Sequence, residues 1–268
     1  MLEDVLRALR EYDFVTPTPV THQRFLDRNR RIAKDLRDVF GWNLPFRPDL
    51  LSPDLLRILK AGDLLTECQD GLLRSKIRIS TLDGLRFVHS AYPTDEADAV
   101  FFGPDSYRFA RFLKDKLPRG GHATHLVDMG SGSGVGGIVA STTLEDARIT
   151  LLDMNPAACR FAAANAAAAG VTAECIHGSR LADVTGAVDL VIANPPFMID
   201  GKSRTYRDGG DMHGARLSID WALEAAERLT AGGLMLLYTG SAIVDGRDGL
   251  LNALAQALPG LGCTLFYE

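Results

Sequence analysis

Cysteine is scarce in this chain. Cys68, Cys159, Cys175 and Cys263 are the four in 268 residues, and no two stand at the spacing of a CxxC metal or redox pair. A disulfide framework is therefore set aside, no metal site is expected, and reduced thiols in a cytoplasmic protein fit best. Long apolar runs are also missing, so no bilayer-spanning segment is expected. The N-terminus, MLEDVLRALREYDF, is charged and amphipathic and lacks the apolar centre of a signal peptide. Nor is there a large excess of one charge. The 29 Lys and Arg against 34 Asp and Glu leave a net of -5, which excludes a polycation that gathers nucleic acid by bulk electrostatics. Internal repeats and low-complexity linkers are absent.

What is present suits a globular protein. A hydrophobic fraction of 46% supplies a buried core for one large domain, or one domain and a small partner. The residual charge is uneven: residues 1–80 carry 14 basic against 12 acidic side chains, and the remainder carries 15 against 22. A mildly basic front on an acidic body is compatible with contact to an anionic partner and equally with ordinary fluctuation.

Residues 1–92 read as a unit of their own. Helical spacing runs through 2–12 and 22–40, the latter placing Phe25, Ile32, Leu36 and Val39 on one face. Ser52-Pro53 caps and opens a third helix that Gly62 ends. The period then changes to two, with strands around Leu73, Lys76–Ile79 and Leu85–Val88 and turn dipeptides at Asp70-Gly71 and Asp83-Gly84. The pattern is winged-helix-like. Arg24, Arg28 and Arg31, and Arg30, Lys34 and Arg37, follow helical spacing, with Lys76 and Arg78 on the expected wing. Such charges serve RNA or DNA phosphates, a protein partner or simply solvent.

Residues 93–268 alternate strand and helix. Strands are expected over 124–129, 148–153, 172–177, 188–193, 233–238 and 263–267, with helices over 156–169, 219–229 and 250–258. This order implies an α/β fold, a doubly wound and mostly parallel sheet that takes ligands beyond the carboxyl ends of its strands. The motifs sit at those ends. The first strand runs into Asp128-Met-Gly130-Ser-Gly132-Ser-Gly134, a loop that turns tightly and lets a ligand approach the backbone. Gly132, Gly134 and Gly137 also satisfy GxGxxG, so the glycines alone leave a nicotinamide protein open. Asp153 ends the second strand, where a carboxylate accepts a ribose diol or caps the following helix. The fourth strand ends in Asn194-Pro195-Pro196-Phe197. Two prolines stiffen the turn, and the Asn194 carboxamide oxygen and Pro195 carbonyl are two fixed acceptors for an NH2 group. Phe197 offers a face for a planar amide or base.

The acid before the glycines, DxGxGxG, resembles the first motif of class I S-adenosylmethionine-dependent methyltransferases. Asn-Pro-Pro-Phe resembles the corresponding motif of amino methyltransferases: the N6-adenine enzymes, the N2-guanine ribosomal RNA enzymes and the HemK-type release-factor glutamine methyltransferases, within the "methyltransferase small" group. The resemblance covers about residues 100–268. It implies S-adenosyl-L-methionine as cofactor, held by Asp128, Gly130, Gly132, Gly134, Asp153 and Met154. Ser106, in Phe-Gly-Pro-Asp-Ser at 102–106, and Asn194 are expected to join them. The family has an acid or amide at the third strand end, whereas this chain has Gly178-Ser179, so Ser179, Asp183 or a backbone group is left to meet the adenine. Arg207-Asp208-Gly209-Gly210 resembles the stretch after the NPP loop of HemK relatives, or is a simple turn. The family's fold closes with a seventh strand antiparallel to the sixth, and no residues follow for it: either the sequence continues beyond residue 268 or another segment covers that edge.

The expected activity is methyl transfer to a planar amide or exocyclic amine nitrogen, with Asn194, Pro195 and Phe197 orienting the acceptor. An RNA base or a protein glutamine, recruited through the front segment, is the first reading. A small-molecule acceptor and a non-catalytic adenosyl-sensing nucleic-acid binder are the alternatives.

Overall fold

The computed structural model describes residues 1–12, 31–91, 94, 96–117, 119–198 and 209–268. The front segment starts with α1 (Leu2–Ala8), continued by a 3-10 turn, and α2 (Pro53–Ala61). Ser52 Oγ accepts from Leu55 N at 3.3 Å and Pro53 stands in the first turn, as the sequence signals require. Two short ladders follow. β1 (Leu65–Glu67) pairs with β2 (Leu73–Ser75), and β3 (Ile77–Leu82) with β4 (Leu85–Ser90), both antiparallel. The second hairpin turns on Asp83 and Gly84 with φ of 52° and 80°, the two-residue loop with both centres left-handed that Asp-Gly favours.

The helix expected over 22–40 is not formed in its described part. Residues 22–30, with Phe25, Arg24, Arg28 and Arg30, lie outside the described residues. Over 31–40 there is one wide turn, Arg37–Gly41, and Ile32 is exposed. Local side-chain bonds explain the difference. Asp35 Oδ1 accepts from Asp38 N at 2.8 Å and Asp38 Oδ2 from Lys34 N at 2.9 Å, so the aspartates hold the backbone in turns that compete with a helix. Arg31, Lys34 and Arg37 are exposed but share no helical face. On the hairpin, Lys76 pairs with Asp63 at 2.9 Å, and Arg78 is half-buried, its pKa lowered by burial.

The second part carries α3 (Pro104–Lys116), β5 (His125–Met129), α4 (Val135–Ser141), β6 (Arg148–Asp153) and α5 (Pro156–Ala169). β7 (Ala173–His177), β8 (Val188–Ala193), α6 (Arg216–Arg228) and β9 (Leu229–Leu237) follow. The five strands form one parallel sheet in the order β7-β6-β5-β8-β9. Its direction of winding reverses between β5 and β8, which opens a crevice at their carboxyl ends. Beyond it come a two-residue hairpin, β10 (Ile243–Val244) with β11 (Arg247–Asp248), and α7 (Gly249–Ala257). The strand expected over 263–267 does not form. Cys263 N donates to Leu258 O, and Tyr267 Oη donates to Asp248 Oδ2 at 2.7 Å, so this stretch folds back on α7 and forms no ladder with β9. Its apolar alternation has no ladder to join, and Phe266 is 85% exposed. Among the described residues no helix is long and apolar enough to cross a membrane.

The β3–β4 hairpin is shared by two cores. Ile77, Ile79 and Val88 pack with Val5, Leu9, Phe40, Phe46, Leu55 and Leu59, while Leu82 and Phe87 pack with Phe109, Leu113 and Leu126. Phe161, Ala164 and Ala168 of α5 close the first of these cores. One polar residue fixes the joint. Asn165 on α5 is fully buried; its Oδ1 accepts from Val88 N at 2.8 Å, and its Nδ2 donates to Val88 O at 3.0 Å and Ser133 O at 2.9 Å. The carboxamide thus completes the ladder of β4 as a neighbouring strand would and holds the glycine loop besides. Replacing Asn165 by Ala strands three buried backbone groups. We expect a loss of roughly 2–5 kcal/mol in urea unfolding, since each orphaned group costs about 1–3 kcal/mol and waters recover part of it.

Candidate cofactor and acceptor site

The crevice is a cavity of about 590 Å3 at the ends of β5, β6 and β8. Its walls include Ser106, Asp128, Gly130, Gly132, Asp153, Met154, Ser179, Asn194, Pro195 and Phe197, which the sequence places on separate elements. Gly134 does not border it. That residue opens α4 at φ 77° and packs between Leu151 and Ala162, a close approach that a side chain would block.

Each side chain has a local cause for its position. Asp128 is buried; its Oδ2 accepts from Gly137 N at 2.7 Å in the first turn of α4, which pins strand, loop and helix together. Burial raises its carboxyl to about 7, against the lowering effect of the Gly137 N–H and with a further push from Asp153. Asp153 Oδ2 accepts from Gly132 N and its Oδ1 from Asn155 N, both at 2.8 Å. Its pKa is also raised, chiefly by burial. The cap of α5 is Asn155, whose Oδ1 accepts from Ala157 N at 2.8 Å, so Asp153 is left to the cavity and the glycine loop. Ser106 is buried in the first turn of α3, where its Oγ accepts from Gly103 N at 3.3 Å. Ser179 is exposed, and its N–H, like that of Arg180, donates to Asp183 Oδ2. Asp183 thus braces this loop and does not line the cavity.

The Asn194–Phe197 corner is held by backbone packing from further along the chain. Gly209 N donates to Met198 O at 2.8 Å, and a side chain at Gly209 would overlap the Pro196 carbonyl. Its neighbours Arg207 and Asp208 lie outside the described residues. Gly214, at φ 91°, lies against the Phe197 carbonyl, and the ring of Phe197 covers Gly240. Wall residues outside the motifs include Phe101, Leu217 and Trp221. The Trp221 ring on α6 occupies the space that a side chain at Gly130 would need. No sequence signal locates Trp221, because only the fold sets its ring over Gly130.

The lining admits a test of the ligand. Among the described residues Ser131 Oγ is buried without a partner, an orphaned donor and acceptor in a residue of the cavity wall. The described lining has Asp105, Asp128 and Asp153 but no lysine, arginine or histidine. Such a surface repels a pyrophosphate and suits a cation, and S-adenosylmethionine carries a sulfonium and an ammonium.

Residues 99–239, just over half of the chain, match the methyltransferase small domain family. The chain belongs to this family. Its cofactor is S-adenosylmethionine, and the nicotinamide reading of GxGxxG falls away. The chain is 27% identical over 154 residues to the release factor glutamine methyltransferase of Deinococcus radiodurans, across 54% of this chain and 55% of that protein. It is 35% identical over 115 residues to the ribosomal RNA small subunit methyltransferase C of Serratia proteamaculans, across 43% of this chain and 28% of that one. The chain therefore spans about half or less of these curated relatives. Among solved structures, Trm5b from Pyrococcus abyssi shares the fold, with a TM-score of 0.51 at 15% identity over 94% of this chain and 70% of that one.

Two outcomes follow for the methyltransferase site. A cationic ligand favours ionised Asp128, so binding at low pH must expel a proton. With the carboxyl at about 7, S-adenosylmethionine affinity falls about tenfold from pH 8 to pH 6, and Asp128→Asn flattens the profile; calorimetry at both pH values reads this. The free protein shows the opposite trend, because a raised carboxyl pKa contributes stability that is lost as pH rises through 7. Separately, a methyl at Gly240 would stand 2.6 Å from the Phe197 ring. We expect Gly240→Ala to displace that ring and lower kcat about tenfold or more with cofactor affinity within a factor of two, read by steady-state kinetics beside calorimetry.

Proposed function

We propose that this methyltransferase domain transfers the methyl group to a planar amide or exocyclic amine nitrogen of a macromolecule, an RNA base or a protein glutamine. The observation that carries the reading is the Asn194–Phe197 corner, which opens on the same cavity as the glycine loop and is locked by Gly209, Gly214 and Gly240. S-adenosylmethionine supplies an electrophilic methyl on a sulfonium. The chain's own contribution is placement. Asp128, Asp153, Met154, Ser106, Ser131 and Ser179, with the backbone at Gly130 and Gly132, hold the cofactor. The Asn194 carboxamide oxygen and the Pro195 carbonyl accept the two N–H bonds of the acceptor, which aims its lone pair at the methyl carbon. Phe197 lies along the acceptor plane. No general base is required before transfer, because the nitrogen attacks with its lone pair and sheds a proton afterwards. Release-factor and ribosomal RNA methyltransferases are both among the relatives, which supports a macromolecular acceptor over a small amine.

Asn194→Ala separates an enzyme from a sensor. We expect methyl transfer from labelled S-adenosylmethionine to drop at least 100-fold, with the cofactor's dissociation constant within about threefold of wild type. Equal loss of binding and turnover would make Asn194 a cofactor residue only. Undiminished turnover would remove the corner from the mechanism.

A further inference from the structure

A second cleft, of about 300 Å3, lies at the far end of α5 between α1, the β3–β4 turn and the last turn of α5. Its charged walls are Arg10 and Arg86, and among the described residues no carboxylate lines it. Gly84, Ala168 and Ala169 leave the space between them open. Asp83, next to this wall in the turn, is bonded to Lys114 Nζ. Both guanidinium groups are held by backbone. Arg10 donates to Ala168 O, a carbonyl of the helix end, and Arg86 NH2 donates to Tyr12 O at 2.9 Å. One bond apiece leaves most of each five-donor fork uncommitted among the described residues, and Arg86 Nε is shielded from solvent with no partner among them. Among the described residues the two forks face an open space with no counter-charge, an arrangement that suits an anion, and forked donors match a phosphate best.

The cleft and the methyl-transfer cavity border opposite ends of α5. Ala158 borders the cavity and Ala168 the cleft, and ten residues of one helix separate them by about 15 Å. Among the described residues the cavity wall carries no cation, and the Arg10–Arg86 cleft supplies the phosphate contact that this wall lacks. We propose that the Arg10–Arg86 cleft binds a backbone phosphodiester of a nucleic-acid strand whose target base enters the cofactor cavity. The inference rests on the macromolecular reading above and narrows it from RNA or protein to nucleic acid.

The test measures binding without methyl donor, so that its failure is distinct from failure of methyl transfer. A labelled single-stranded RNA is titrated by fluorescence anisotropy into wild-type protein, Arg86→Ala, Arg86→Lys and Arg10→Ala across a salt series. Calorimetric S-adenosylmethionine binding reports that each variant is folded. The expected result is five- to tenfold weaker RNA binding in Arg86→Ala, with the slope of log affinity against log salt reduced by about 0.7, one phosphate contact on a single strand. Arg86→Lys restores the slope and part of the affinity, and Arg10→Ala repeats the loss. Unchanged RNA affinity and slope in folded Arg86→Ala overturn the proposal, as does wild-type protein that fails to bind RNA. Binding of inorganic phosphate that Arg86→Ala abolishes while RNA affinity stays level identifies a free-anion site and equally overturns it. Methylation of a glutamine peptide by wild type and Arg86→Ala alike, with no RNA binding, sinks the cleft and leaves the N-methyltransferase reading standing.

Discussion

The buried carboxamide of Asn165 is the constraint on which the arrangement turns. A hairpin edge beside a helix would ordinarily leave the N–H and C=O of Val88 without partners, at a cost comparable to the packing gained there. Asn165 meets both at 2.8 and 3.0 Å and spends its remaining N–H on Ser133 in the glycine loop. The front core, the alanine-rich helix and the cofactor loop therefore share one polar junction. The hairpin in turn reaches the cavity wall, because Ser90 Oγ accepts from Val100 N at 2.8 Å just before Phe101. A front segment joined in this way shapes the cofactor site as well as any partner surface.

Around that junction the site is built by backbones approaching closely. At Gly130 the left-handed φ and the overlying Trp221 ring act together, so the position fixes both a turn and a wall of the cavity. At Gly240 there is no special backbone angle, only the Phe197 ring where a side chain would be. The acceptor corner thus depends on residues more than ten positions away in sequence. Its two prolines restrict the turn internally, and the glycines set where the turn lies relative to β5 and β9. Stiffness and placement have different origins, and orientation of an acceptor nitrogen needs both.

The parallel sheet was legible because its strands are near-continuous apolar runs that end in glycine, acid or Asn-Pro-Pro, and each of those endings marks a strand's carboxyl end. The cavity residues at 128–133, 153–154 and 194–197 were legible for the same reason. Periodicity failed over 31–40, where Asp35 and Asp38 compete for backbone N–H groups at short range. It failed over 263–267 because alternation describes a strand's faces and is silent on whether a neighbour exists. Asn165 and Trp221 were invisible for another reason. Asn165 sits in an alanine-rich helix, and its partner Val88 is 77 residues away. Trp221 reads as one apolar position on an amphipathic helix. Only the fold brings either to its partner.

Charge divides the molecule more finely than the sequence suggests. Three aspartates line the cavity, and two arginines, Arg10 and Arg86, line the cleft at the opposite end of α5. On the proposed function, the aspartates of the described wall favour a sulfonium cofactor by the same field that disfavours phosphate, so an acceptor presents a neutral group, a base or an amide, to this wall. Burial strengthens that field and also sets its limit, since the desolvation that raises Asp128 to about 7 lets the carboxylate revert to the neutral acid whenever no cation is there to hold it charged. The electrostatics of the cavity are thus coupled to its occupancy: it is most anionic when the methyl donor is bound.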